Sequence, residues 1–182
     1  GNIANVRSPK NIDLFLSLAL NMTKKNNDLI FILVGKDSFD GKVNNFIRKN
    51  KLQNRLFIFE DISYNDIFSI YSGLDIFLFT SIHEGSPNVL YEALSAEVPI
   101  VASKIFATKE LIKDGVNGYL CDLYNEDEFI KKINLLLNNK IQYNLIKKNI
   151  KKYFNKSNFN NIAVKEINNK IIWNNSKKVK NI

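Results

Sequence analysis

Four apolar runs of strand length, separated by segments long enough to form helices, constrain the fold of this chain most strongly. The runs are LIFILV at 29–34, RLFIF at 55–59, IFLFT at 76–80 and PIVAS at 99–103. Continuous runs of this kind are typical of strands buried on both faces. Parallel neighbours need crossover connections, which are usually helices. The sequence therefore predicts an α/β protein with a Rossmann-like parallel sheet and helices on both faces.

The remaining segments complete this arrangement. Residues 3–6 are expected to form a short edge strand and residues 119–121 a last strand, with helices at 11–24, 40–49, 64–72 and 88–96. The first of these helices has an apolar side made of Ile12, Phe15, Leu16, Leu18, Ala19 and Met22. Three further helices are expected at 126–138, 142–153 and 157–173, followed by a polar tail from residue 174. We therefore divide the chain into a Rossmann-like domain at 1–140 and a helical C-terminal extension with a tail at 141–182.

Composition narrows the possible partners and the compartment. The net charge of +8 is compatible with an anionic partner, which would be a phosphate-bearing ligand, an acidic membrane surface or a nucleic acid. Solubility alone is the simpler reason for the charge, because Lys and Asn are concentrated in the last third, where a solvated helix face needs them. No RNA-binding aromatic signature or helix-turn-helix pattern accompanies the charge, so a nucleic acid is the least favoured. The single cysteine, Cys121, excludes an intrachain disulfide and indicates a reducing compartment. We expect a cytoplasmic protein that can lie peripherally on the inner face of the plasma membrane.

The segment 81–103, SIHEGSPNVLYEALSAEVPIVAS, carries the most chemical information. Gly85 allows a tight turn and a close approach by a ligand. Pro87 suits the first position of a helix and Ser86 the N-cap before it. The first backbone amides of such a helix lack partners within it and form an anion site suited to phosphate. These amides belong to Asn88, Val89 and Leu90.

Two glutamates bracket this predicted helix start. Glu84 precedes the helix and Glu92 lies about one and a half turns inside it, on a side that is otherwise apolar. A carboxylate beside a phosphate site can accept hydrogen bonds from two vicinal hydroxyls, such as those of a ribose. Without the surrounding motif, each glutamate is more simply explained as a surface carboxylate, at a helix start or on a solvated face.

The same segment resembles the signature of glycosyltransferase family 4 and its relatives of GT-B fold. The shared pattern is E-G-x-P-N-V-L-x-E-A followed by P-[IV]-V-[AS]-S, with the E-x7-E pair at Glu84 and Glu92. Further matches are FILVG at 31–35, LDIFL at 74–78 and ELIKDGVNGYL at 110–120. Four motifs in the family's order and spacing, over residues 3–138, make the resemblance specific.

The resemblance implies that the chain is the donor-binding, C-terminal half of a retaining glycosyltransferase. Glu84 would be the catalytic residue and would lie beside the donor sugar near the reacting carbon, and Glu92 would hold the ribose. Backbone groups of Gly85, Ser86, Asn88, Val89 and Leu90 would contact the sugar and the distal phosphate. Ile62 would pack against the base, and the substrate-binding set includes Gly35, which ends the FILVG motif. Arg7 or Lys10 would neutralise the diphosphate, a role that the family commonly fills without a metal or other cofactor.

The family resemblance also implies the substrates and pathway of the whole enzyme, and the chain departs from the family pattern at three positions. The donor would be a nucleoside-diphosphate sugar, with UDP favoured, the acceptor a hydroxyl bound by an N-terminal domain, and the pathway surface polysaccharide or glycolipid assembly. The chain alone would then be inactive. Asn5 stands where the family has an arginine, while Glu60 and Glu97 stand where it has glycines. The alternatives are a nucleotide-sugar epimerase of the same fold and a basic nucleic-acid-binding module.

Overall fold

The computed structural model describes residues 1–156 apart from Phe39 and Ser86, and within them two parallel three-stranded sheets are flanked by helices. In spatial order, the first sheet contains β1 (Asn2–Ile3), β2 (Phe31–Val34) and β3 (Leu56–Phe59). The second contains β4 (Phe77–Phe79), β5 (Ile100–Ser103) and β6 (Tyr119–Cys121). The predicted α/β, Rossmann-like fold is confirmed.

Gly1 joins the two sheets edge to edge. Its nitrogen donates to the carbonyl of Ile76 at 2.8 Å, and its carbonyl accepts from the amide of Leu78 at 2.7 Å. With these bonds, the two sheets follow one another in the order β3-β2-β1-β4-β5-β6. Successive strands are added toward one edge from β1 to β3 and toward the opposite edge from β4 to β6, so the strand order reverses between β1 and β4. β1 forms the edge of the first sheet, as expected for residues 3–6, but it comprises only Asn2–Ile3, and the bonds of Gly1 bring this edge next to β4. Ligands of such sheets bind at the carboxyl ends of the strands next to this reversal.

Seven α-helices are found among the described residues, on the two faces of the sheet. They are α1 (Ile12–Thr23), α2 (Lys42–Lys49), α3 (Tyr64–Gly73), α4 (Asn88–Ser95), α5 (Phe106–Leu111), α6 (Glu126–Asn138) and α7 (Lys140–Lys156). The crossovers through α1 and α4 run in opposite directions along the sheet, so right-handed connections place them on opposite faces. Accordingly, α1 packs on α6, whereas α4 packs on α3 and α7.

The apolar side predicted for the first helix is confirmed, since all six of its residues are buried. The second helix begins at Lys42 rather than at residue 40, because Asp40 and Gly41 have φ angles of 48° and 80° that no α-helix contains. The last described helix begins at Lys140 rather than at 142, directly after the end of α6. The predicted helix at 157–173, the tail from 174 and Ser86 lie outside the described residues.

Helix α5 was not predicted from the sequence. It has only six residues, too few to produce a helical period of apolar residues. Polar bonds of Thr108 fix its first turn: the hydroxyl donates to the carbonyl of Ser103 at 2.7 Å and accepts from the amide of Ile105 at 3.0 Å.

The C-terminal helix α7 packs into the same core as the sheet. Ile146 and Ile150 are fully buried there, and Asn149 donates to the carbonyl of Val116 at 2.9 Å. The domain boundary that we place at residues 140 and 141 stays a prediction. Within the described part of the chain, no helix is both long and apolar enough to cross a membrane.

Candidate functional site

A groove of about 390 Å³ opens at the carboxyl ends of β1, β2 and β3, beside the point where the strand order reverses. It brings together five residues that were predicted to bind the substrate: Arg7, Lys10, Gly35, Ile62 and Val89. The remaining lining residues are Ile3, Ala4, Asn5, Val34, Lys36, Asp61 and Ile67. Three basic side chains against one acidic side chain give the groove wall a positive balance, which suits an anionic ligand.

Gly35 lets the loop after β1 come close to the end of β2. Its φ is 145°, and a Cβ there would lie 2.3 Å from the carbonyl oxygen of Ala4. Any other residue would push this loop out of place, since both the φ angle and the space require glycine. Gly35 thus shapes the wall of the groove through its backbone.

Lys10 reaches across the strand reversal and forms an ion pair with Glu84. The ammonium nitrogen contacts Oε1, and the two side chains are only 12% and 16% exposed. Hydrogen bonds hold the two loops in this position. The hydroxyl of Thr80 donates to the carbonyl of Lys10 at 2.9 Å, and the amide of Ile82 donates to the carbonyl of Pro9 at 2.9 Å. The predicted cation and the predicted catalytic carboxylate are therefore direct neighbours.

Arg7 and Asn5 lie on the loop after β1 but differ from Lys10 in their surroundings. Arg7 is exposed on the wall of the groove. Asn5, at the position where the family has an arginine, accepts a hydrogen bond from the amide of Lys36 at 3.0 Å. Asn5 thus holds two loops together and adds no charge to the groove, which leaves Arg7, Lys10 and Lys36 as its cations.

The start of α4 differs in detail from the prediction. Helix α4 begins at Asn88, so Pro87 occupies the N-cap position, not the first helical position. The amide of Leu90 donates to the carbonyl of Pro87 at 2.9 Å, so its inclusion among the unpaired amides is wrong. Pro87 causes both differences, because its ring holds φ at −83° and its carbonyl closes the first turn. Of the predicted anion-binding amides, those of Asn88 and Val89 remain candidates.

Of the two reasons that the sequence suggested for Gly85, the structure contradicts the tight turn. Its φ lies outside the left-handed range, and a Cβ built on it would meet no described atom within 4 Å. The turn therefore does not require glycine there. The close approach by a ligand stays a prediction.

Glu92 is buried on the inner side of α4, with 8% of its surface exposed. Its Oε2 accepts a hydrogen bond from the hydroxyl of Tyr71 at 2.8 Å. Burial raises the pKa of Glu92, and the Tyr71 hydrogen bond opposes that rise. The side chain is thus a carboxylate largely withdrawn from water, one turn beyond Val89 on the groove wall.

Sequence reasoning missed three residues of this region. Lys36 lies two residues after the end of β2, and Asp61 two residues after the end of β3. The rule that ligands bind at the carboxyl ends of strands could therefore have identified them. Tyr71 carried no comparable signal, because it lies in α3, 21 positions before its partner Glu92. In the described part of the chain, no group of three or more histidine, cysteine or acidic residues could hold a metal ion.

A parallel sheet with this strand order, a positively charged groove at the strand reversal and a helix start beside it define a nucleotide-binding type of α/β domain. Comparisons with known proteins identify the family. The sequence model of the family described as "Glycosyl transferases group 1" matches residues 2–153, and the chain belongs to this family.

Individual relatives agree with this assignment. A UDP-Gal:α-D-GlcNAc-diphosphoundecaprenol α-1,3-galactosyltransferase from Escherichia coli is 30% identical over 149 residues, which cover 78% of this chain and 37% of that protein. The chain thus spans little more than a third of this relative's length.

Solved structures share the fold. A mutant of S. aureus TarM, in complex with fondaparinux, α-GlcNAc-glycerol and UDP, superposes with a TM-score of 0.81 at 24% identity, covering 93% of this chain and 34% of that one. The C-terminal domain of a group 1 glycosyl transferase (LpcC) from Francisella tularensis superposes with a TM-score of 0.77 at 23% identity. That match covers 86% of this chain and 84% of the domain.

Proposed function

We propose that this chain is the donor-binding, C-terminal half of a retaining glycosyltransferase of family 4. The whole enzyme would transfer a sugar from a nucleoside-diphosphate donor, with UDP favoured, to a hydroxyl acceptor. The observation that carries the proposal is the placement of two carboxylates around the start of α4, where Glu84 contacts Lys10 and Glu92 contacts Tyr71. One carboxylate faces a cation and the other is buried behind the groove, so the two are suited to different parts of one ligand.

The diphosphate would lie between the start of α4 and the loop after β1. The first amides of a helix attract anions through their unpaired N–H groups and the helix dipole, and here they belong to Asn88 and Val89. Lys10 and Arg7 would supply the positive charge from the other side. As the bond between sugar and diphosphate breaks, negative charge grows on the diphosphate, and cations fixed in advance stabilise that charge. No metal or other cofactor takes part in this proposal.

The nucleoside would extend from the diphosphate along the groove. Glu92 would accept hydrogen bonds from the two ribose hydroxyls, and Ile62 would pack against the base. Glu84 would contact the hydroxyls of the donor sugar, and the lack of a side chain at Gly85 would let that sugar approach the backbone. Because Glu84 lies beside the reacting carbon in this arrangement, it is the residue that we assign to catalysis.

An N-terminal domain that binds the acceptor would complete the enzyme. Holding both reactants together provides much of the rate of a two-substrate reaction, so we expect no transfer by this chain alone. Its relatives are longer proteins, consistent with a second domain. An epimerase of the same fold would convert the nucleotide sugar without any acceptor, and product analysis of the whole protein distinguishes the two reactions.

The proposed acceptor and location are based on the name of one relative and on the surface of α7. Because the Escherichia coli relative is named for a lipid-linked acceptor, we propose a role in surface polysaccharide or glycolipid assembly at the cytoplasmic face of the plasma membrane. Helix α7 could contact an anionic membrane, since it contains six lysines and no acidic residue. Its exposed side carries Ile141 and Leu145, and such basic amphipathic helices bind acidic lipid surfaces. Sedimentation with vesicles of acidic and of neutral lipids tests this contact, and equal binding to both would contradict it.

Calorimetric titration with UDP, GDP, ADP and uridine tests the proposed function. We expect UDP to bind best and uridine to bind much more weakly, because the phosphate site contributes nothing to uridine. Glu92→Ala should weaken UDP binding by roughly 1.5–3 kcal/mol, the usual value for hydrogen bonds to a charged group. A wild-type chain that binds none of the diphosphates at millimolar concentration would contradict the proposal.

A further inference from the structure

Tyr71 connects α3 to the start of α4 through a fully buried hydroxyl. The residue is 0% exposed, and its ring packs against Phe77 and Phe68 with centroid separations of 5.5 and 6.3 Å. The hydroxyl donates to Oε2 of Glu92 at 2.8 Å and lies 3.3 Å from the carbonyl oxygen of Val89. Because the ring is fixed by aromatic neighbours, the position of the hydroxyl is fixed too.

A buried carboxylate needs such a partner. Removing a carboxylate from water is costly unless hydrogen bonds replace the lost hydration. Accordingly, burial raises the pKa of Glu92, and the hydrogen bond from Tyr71 opposes this rise. Side chains of β5, behind α4, can contribute no charge, since the strand consists of Ile100–Ser103. The tyrosine is thus the partner that compensates Glu92 for its burial.

The hydrogen bond also selects one orientation of the carboxylate. One lone pair of Oε2 is used by Tyr71, which leaves Oε1 and the remaining lone pair of Oε2 for other donors. Two vicinal hydroxyls of a ligand match this remaining capacity. The proximity of the same hydroxyl to the carbonyl of Val89 places the carboxylate relative to the first turn of α4.

We infer that Tyr71 is a positioning residue, whose hydroxyl orients the carboxylate of Glu92 toward the ribose diol of the donor. This role rests on the proposed function, because it assigns the ribose to Glu92. Tyr71 does not touch the ligand itself. Its removal should therefore weaken only the part of the affinity that depends on the ribose hydroxyls.

The test compares Tyr71→Phe with a matched variant, Tyr119→Phe. Both substitutions remove one hydroxyl from a buried ring. Tyr119 lies in β6, outside the groove lining, and its hydroxyl accepts a hydrogen bond from the side chain of Gln142 at 2.8 Å. The affinities of both variants for UDP and for 2′,3′-dideoxy-UDP are measured by calorimetry, and their stabilities by urea denaturation. We expect Tyr71→Phe to bind UDP roughly 10-fold more weakly, because the carboxylate of Glu92 loses the hydrogen bond that orients it. The same variant should bind the dideoxy analogue as tightly as the wild type does. Tyr119→Phe should lose stability alone.

The possible outcomes separate the inference from the proposed function. UDP binding by Tyr71→Phe as tight as that of the wild type, or an equal loss for both nucleotides, would overturn the positioning role while leaving the proposed function in place. A wild-type chain that does not bind UDP would overturn the proposed function. A double-mutant cycle provides a second measurement: in a Glu92→Gln background, Tyr71→Phe should cause no further loss of UDP affinity, and an additional 10-fold loss would contradict the inference.

Discussion

Replacing Glu84 by glutamine should tighten the binding of UDP, although Glu84 is the proposed catalytic residue. In the free chain, the carboxylate of Glu84 contacts the ammonium of Lys10, and both side chains are largely shielded from water. A diphosphate that binds Lys10 must therefore approach a carboxylate that already uses this cation. Glutamine keeps the size of the side chain but removes its charge.

The magnitude follows from the charge and burial at this position. Two like unit charges about 7 Å apart interact by about 2.4 kcal/mol at an effective dielectric constant near 20. Because the two side chains are only 12% and 16% exposed, salt screens this repulsion incompletely. Part of the gain is lost because Lys10 becomes more mobile without its partner. We expect a net gain of about 1–2 kcal/mol, which is roughly a 5- to 30-fold higher affinity.

Calorimetry of UDP binding to the wild type, Glu84→Gln and Glu110→Gln measures this effect. Glu110 is exposed in α5 and does not line the groove, so its replacement makes the same change in net charge away from the site. The Glu110 variant should bind UDP within about twofold of the wild type, because distant surface charges are screened. Affinity of Glu84→Gln that equals or falls below that of the wild type would refute the idea that the diphosphate shares Lys10 with Glu84.

Four further predictions concern other residues of the site and of the fold. Lys10→Ala should weaken UDP binding far more than uridine binding, with a smaller loss for Arg7→Ala; a larger diphosphate-specific loss for Arg7→Ala would reverse their roles. Gly85→Ala should leave the urea midpoint unchanged but weaken nucleotide-sugar binding, whereas Gly35→Ala should destabilise the fold, because its Cβ would meet Ala4. Glu97 has a φ of 57°, so Glu97→Gly should be about 1 kcal/mol more stable than Glu97→Ala, which removes the same ion pair with Lys151; equal stabilities would show that no strain exists there. Finally, burial raises the pKa of Glu92 above its usual 4.5, and ribose hydroxyls need the ionised form, so UDP affinity should fall on acidification at a higher pH than for an exposed glutamate. Glu92→Gln should lack this component of a pH titration, and its persistence in that variant would assign it to another group.

The sequence predicted most of the fold because its signals were local and strong. Four continuous apolar runs identified β2 to β5, the short segment 119–121 identified β6, and the helical period of α1 identified all six of its buried apolar residues. The placement of β1 next to β4 could not be predicted, since two residues give no pattern and the placement depends on the bonds of Gly1 to Ile76 and Leu78. Helix α4 was predicted to begin at residue 88, as it does, but Pro87 was not predicted as its N-cap, because the carbonyl of Pro87, which closes the first turn, gives no signal in the sequence.

The candidate site was predictable only in part. The family resemblance predicted Lys10, Gly35 and Ile62, and these residues lie on a common groove because parallel strands end at one edge of the sheet. Contacts between distant segments were not predictable. The ion pair between Lys10 and Glu84 spans 74 positions and the bond between Tyr71 and Glu92 spans 21, and neither has a sequence pattern.

The position of bound UDP is the decisive test of the proposed donor site. A crystal structure of the chain soaked with UDP, or the amide shifts of a labelled sample titrated with UDP, would locate the ligand. We predict the diphosphate between Lys10 and the amides of Asn88 and Val89, with the ribose hydroxyls on the carboxylate of Glu92. UDP bound elsewhere on the chain, with no change at Lys10, Asn88 or Glu92, would contradict the account.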